Sequence, residues 1–92
     1  MEKTNIYGDI SWWYIFDQMD REAHPYACNF IGKCKTANVS INYFSSLSPD
    51  KHFKILMAAS LVSEKKISIR ARMIADDKQV VAIADFLFIQ TN

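Results

Sequence analysis

Cys28 and Cys34 are the first side chains here whose type could do chemistry. Five residues separate them, which is wrong for a zinc knuckle or a Cys-x-x-Cys redox pair. The spacing suits a disulfide across a tight hairpin, and equally two buried thiols. His24 and His52 stand well apart with no ligand-spaced partner, so no metal site is expected. The chain has no Gly-x-Ser-x-Gly elbow, no cysteine beside a suitable His and Asn pair, and no glycine-rich phosphate loop. Asp17, Asp20 and Glu22 fall on a stretch that reads as a turn, where solvated carboxylates are the default. Lys33, Lys35, Arg70 and Arg72 are the cations that could hold an anion, although such residues more often line a solvated strand face. Trp12-Trp13-Tyr14 could stack on a sugar ring. Neighbours on a strand point to opposite faces, so at most Trp12 and Tyr14 share one, and packing is the commoner use. Nothing in this inventory composes an enzyme active site, and no cofactor is implied.

These residues must be carried by one domain, residues 1–92, that is 50% hydrophobic and 13% aromatic, a composition of ordered, core-rich chains. A formal net charge of +1 supplies no general attraction to nucleic acid or anionic lipid. No apolar run approaches the roughly 18 residues that a membrane span needs, so no membrane insertion is expected. The polar start, Met-Glu-Lys-Thr-Asn, has no signal-peptide core. The chain is then either cytoplasmic or an exported protein whose leader has been removed.

The pattern predicts three strands, a helix and two more strands. Residues 10–17 are β-branched and aromatic on both faces; 17–24 form a polar connection. Residues 25–31 and 34–44 read as strands joined around Gly32-Lys33. In the second, Ala37, Val39, Ile41 and Tyr43 alternate with polar residues, as in a half-exposed antiparallel strand. Ser48-Pro49-Asp50 has the hydroxyl, the first-turn proline and the acid of a helix start. The segment 49–63 that follows is apolar over most of a helical circumference. Residues 66–74 alternate again, 75–78 are a turn, and 79–90 are apolar on both faces apart from Asp85. This order fits a five-stranded OB-fold barrel with its helix between strands three and four, or an open α+β sheet carrying one helix. So small a chain cannot wrap an all-round apolar helix, so further copies of itself should cover Phe53, Met57 and Leu61.

The helix-to-strand run S-P-D-K-H-F-K-I-L-M-A-A-S-L-V-S-E-K-K-I-S-I-R, the closing Q-V-V-A-I-A-D-F-L-F-I, and Y-G-D-I followed by P-Y-A-C carry a resemblance. The chain resembles the B subunits of bacterial AB-type toxins, the cholera, pertussis, subtilase and typhoid group. That resemblance implies a non-enzymatic, secreted delivery subunit, an OB-fold homopentamer that binds host cell-surface glycans and carries a toxin A subunit. It implies a sugar site at Tyr7, Gly8 and Asp9, with Lys33 or Lys35 and Arg70 as charged contacts, and glycine where the family's sialic-acid-binding serine stands. The family's second cysteine, well downstream, has no counterpart here; in an exported protein Cys28 and Cys34 would pair instead, closing a much shorter loop. The alternatives are an intracellular OB-fold that binds single-stranded nucleic acid, which the near-neutral charge opposes, and a small protein-inhibitor module.

Overall fold

Trp12–Ile31 is one α-helix, α1, where two strands and a polar connection are expected. Its buried residues are Ile15, Met19, Ala23, Ala27 and Ile31, each four after the last, so they make one stripe along the helix. The aromatic and β-branched residues at its start disfavour a helix by at most ~0.7 kcal/mol each. Burying one apolar side chain offsets several such terms, at about 1.5–3 kcal/mol. The Ser11 carbonyl accepts the N–H groups of Tyr14 and Ile15 at 3.1 and 3.2 Å, which starts the helix. Gly32 ends it at φ 76°, its N–H donating to the Cys28 carbonyl at 2.9 Å. Pro25 sits inside α1 on its exposed side and removes one intrahelical donor.

The computed structural model describes residues 3–5 and 7–91. After α1 come four strands, β1 (Cys34–Tyr43), β2 (Phe53–Ser63), β3 (Lys66–Ala75) and β4 (Val80–Gln90). They form one antiparallel sheet in the order β1-β4-β3-β2. β1, β3, β4 and the turn at 75–78 lie where the period-2 pattern puts them. On β3, Ile67, Ile69, Ala71 and Met73 are buried beneath α1, while Arg70 and Arg72 face outward. β4 is apolar on both faces because it is interior to the sheet: Ala82, Ala84, Phe86 and Phe88 are buried, and Ile83, Leu87 and Ile89 half-buried behind them.

The segment 49–63 is not a helix. Ser48-Pro49-Asp50 makes a turn, with the Lys51 N–H on the Ser48 carbonyl at 3.1 Å and the Ser48 hydroxyl on the Asp50 carboxylate. The chain then leaves as β2, paired with β3 from Phe53↔Ala75 to Leu61↔Ile67. Phe53, Ile55 and Met57 turn to the core and are half-buried, while Leu61 is 61% exposed at the sheet edge. Phe53, Met57 and Leu61 therefore do not line a ring axis on a helix, and the argument for a five-membered ring goes with that helix. The five-stranded OB barrel is overturned likewise: the described residues form four strands, the helix precedes them all, and β1 and β2 are the edges of the sheet. The open sheet with one helix has the right layers, but its helix belongs at residues 12–31.

One core lies between α1 and the sheet. Ala23 and Ala27 keep the helix face shallow where the sheet presents Phe86 and Phe88, whose rings stack at 5.7 Å. Phe16 meets Phe86 edge-on at 6.1 Å, and the His24 ring lies over Phe88 at 5.6 Å.

Candidate functional site

The first half of α1 brings Asp17, Asp20, Arg21 and Glu22 onto a rigid element instead of a turn. Asp17 accepts from the Arg21 guanidinium at 2.8 Å, one helical turn away. That contact raises the Arg21 pKa above its ordinary value. Glu22 is exposed. Asp20, next to buried Met19, is half-buried and makes no hydrogen bond or ion pair among the described residues. A carboxylate with unused lone pairs, held on a helix at the edge of a core, can take a proton from water.

Two turns earlier is the start of α1. The N–H groups of Trp12 and Trp13 find no backbone acceptor among the described residues, as first-turn donors commonly do not. With the helix dipole behind them they suit an oxygen that develops negative charge. The Tyr43 hydroxyl donates to the Trp12 carbonyl at 3.0 Å, and the two rings meet edge-on at 6.1 Å. Beside them opens a cleft of about 330 Å³ walled by Ile10, Trp12, Ile15, Tyr43 and Phe44. At 1.5 Å per residue, Asp20 lies roughly 12 Å along the axis from Trp12. A larger depression of about 510 Å³ opens beside Leu56 and Ile74, on the sheet face turned away from α1.

A second constellation joins the end of α1 to the start of β1. The sulfurs of Cys28 and Cys34 are 3.4 Å apart, as free thiols in hydrogen-bond contact. The His24 Nε2 lies 2.7 Å from the Cys34 carbonyl oxygen. Burial first, then the bond to Cys28, pushes the Cys34 thiol up to about 11, so it is held protonated. The expected hairpin around Gly32 is this helix-to-strand connection, and the two cysteines face each other across it.

The residues expected to hold a sugar do not converge. Tyr7, Gly8 and Asp9 precede α1, whereas Lys33 and Lys35 flank Cys34 beyond its far end. A 20-residue helix, about 30 Å long, lies between the two groups. Gly8 adopts φ +83°, which an added side chain would strain. Arg70 points outward from the sheet and is committed to Asp85, its cross-strand partner, through bonds of 2.9 and 3.2 Å. Asp20 and the His24–Cys28–Cys34 cluster are what the sequence reading missed. The signal that could have found them is the four-residue spacing from Ile15 to Ile31, which puts 17–24 on a helix.

No family model matches the chain, and neither does any curated protein. Solved structures match along 98% of it. One is a Streptococcus mutans protein bound to acetyl CoA, at TM-score 0.91 and 23% identity over 73% of that chain. Another is a hypothetical thioesterase from Streptococcus pneumoniae with coenzyme A, at 0.90 and 19% over 73% of that chain. A third is a hexameric broad-specificity acyl-coenzyme A thioesterase in an aspartate-to-alanine variant, at 0.89 and 22% over 72%. The expectation of a toxin B subunit is thereby overturned, and with it the non-enzymatic, glycan-binding role, the pentamer and the toxin A-subunit partner. Neither the nucleic-acid-binding nor the inhibitor alternative finds support. The helix laid across an antiparallel sheet in the order β1-β4-β3-β2 is the fold these structures share, the hotdog fold.

Proposed function

We propose that this chain hydrolyses acyl thioesters of the acyl-coenzyme A class, as a homo-oligomer, with Asp20 as the base that activates water. The half-buried Asp20 carboxylate on α1, which makes no hydrogen bond or ion pair among the described residues, carries the reading. Matched structures that are thioesterases by name support this chemistry, and two of them were solved as aspartate-to-alanine variants. In the reaction Asp20 accepts a proton from water as its oxygen attacks the thioester carbonyl carbon. The carbon–sulfur bond breaks, the thiolate leaves and recovers that proton, and the products are a carboxylic acid and a thiol. The charge that grows on the carbonyl oxygen needs donors, which the first-turn N–H groups at Trp12 and Trp13 supply.

Those donors lie roughly 12 Å from Asp20 within one chain, too far to serve one carbonyl. A second copy with its helix alongside would set one protomer's Asp20 against the other's helix start. Exposed apolar side chains support such an assembly: Trp12 and Phe44 at that end of α1, and Leu61 and Val62 on β2.

Thiol release from a series of acyl-coenzyme A substrates tests the proposal. Asp20→Asn, which keeps size and loses the base, should cut the rate at least about a hundredfold with the fold intact. Asp17→Asn, which only frees Arg21, should hydrolyse like the parent. An Asp20→Asn protein as active as the parent, or a parent that cleaves none of the series, overturns the reading.

A further inference from the structure

Three side chains that the proposed hydrolysis does not use are gathered where α1 hands over to β1. His24, Cys28 and Cys34 each offer a ligand atom, and these atoms all lie within 4.8 Å of one another. Among the described residues this is the one such group of three or more. We propose that it is a binding site for a thiophilic cation, zinc above all, distinct from the carboxylate on the first half of the helix.

The geometry asks for little change. Around a tetrahedral zinc, ligand atoms at about 2.0–2.3 Å from the metal stand roughly 3.3–3.8 Å from one another. The two sulfurs, at 3.4 Å, already have that separation. The longest span, 4.8 Å, needs closing by about 1 Å, which a side-chain adjustment of exposed His24 can supply. His24 and Cys28 are one turn apart on one helix face, so the backbone itself sets their spacing. Cys34 comes from the neighbouring element, so the cation would tie the helix end to the sheet.

The second shell is also in place. A carbonyl oxygen can only accept, so in the 2.7 Å contact His24 donates from Nε2 to the Cys34 carbonyl. In that tautomer the lone pair is on Nδ1: a cation bound there keeps the Nε2–H on the carbonyl, whereas one bound at Nε2 displaces this hydrogen bond. The ring is held further by its stack on Phe88. Two thiols give up their protons to solvent on binding, so a dication and two thiolates with a neutral imidazole make a site of no net charge. Three protein ligands leave the fourth position of a tetrahedral zinc for water.

Cobalt(II) is the probe, since its thiolate complexes absorb light and zinc's do not. The full-length protein, kept reduced with a phosphine, should take up one cobalt per chain with a sulfur-to-metal charge-transfer band that added zinc abolishes. Zinc binding should release two protons per chain into weakly buffered solution. Cys28→Ser and His24→Gln change side chains that are not fully buried, so their folding can be checked by circular dichroism before titration. Each should weaken binding at least about tenfold, and only Cys28→Ser should also diminish the charge-transfer band. Thioester hydrolysis by His24→Gln should match the parent, so failure here is separable from failure of the proposed function. Reduced protein that takes up no stoichiometric cobalt or zinc, or variants that bind both as the parent does, would sink the site.

Discussion

Asp17 and Asp20 show how neighbouring acids on one helix come to differ. The first pairs with Arg21 at 2.8 Å; the second makes no hydrogen bond or ion pair among the described residues. Asp77 is a third case. The Lys51 ammonium, helped by the Gln79 N–H, holds its carboxyl below the usual carboxylate range. Its folded-state pKa being depressed, the stabilisation is present above the ordinary value of 3.8 and is lost as pH falls through the depressed one. Asp77→Asn should therefore lower the denaturation midpoint at pH 7 and leave it close to the parent's at pH 2. Both partners are exposed, so the difference at pH 7 should be small. An equal difference at both pH values would show that the pair is not its source. Arg70, paired with Asp85 in open solvent, belongs with these surface pairs, and Arg70→Ala should scarcely move stability.

At the scale of elements, α1 contains a residue that helices exclude. Pro25 lacks the donor that would meet the Arg21 carbonyl, and its ring crowds that carbonyl. Pro25→Ala should raise stability by about 1–3 kcal/mol, less than the full helix penalty because proline also stiffens the unfolded chain. A melting temperature that falls in this variant would mean that the ring makes packing contacts worth more than the lost hydrogen bond. The same proline helped to hide the helix from a reader of the sequence, as did the strand-favouring Trp12 to Phe16. The stripe Ile15, Met19, Ala23, Ala27, Ile31 was legible and decisive, but two of its members are alanines and carry a faint signal. Strands β1, β3 and β4 were legible because polar and apolar residues alternate or because β4 is buried on both faces. β2 was not, because Ser48-Pro49-Asp50 has the residue types of a helix start and an open edge strand has no need to alternate. The candidate sites went unread for the same cause. With 17–31 split into a turn and a strand, Asp20 became a solvated acid, and His24 and Cys28 lost their shared face.

For the whole molecule, the layers decide what each residue of β2 can report. Met57 faces the core from a strand, so Met57→Glu should destabilise the protomer itself, by about 2 kcal/mol or more. Leu61 stands 61% exposed, so Leu61→Glu should leave the fold stable and act, if at all, on association. Denaturation of both variants beside sedimentation of the parent separates the two effects. The parent should sediment as a multiple of its chain mass. A monodisperse monomer at micromolar concentration would remove the assembly that the proposed catalysis requires.

The sheet order has a further consequence, in the time domain. β4 is synthesised after the other three strands, yet it pairs with β1 on one side and β3 on the other. β2 and β3 are joined by the Glu64-Lys65 turn and can zip together as soon as both exist. β1 cannot: its ladder partners run from Ala82 to Gln90 and belong wholly to β4. Until that strand arrives, β1 has a hydrogen-bonding edge with nothing to meet it, and α1 has only part of its floor. Assembly of the sheet must therefore await β4, and its distant pairings make refolding slower than for a helical bundle of this length. A nascent chain stopped before Val80 would present unpaired strands and the apolar stripe of α1 together, the state in which aggregation or chaperone capture is most probable.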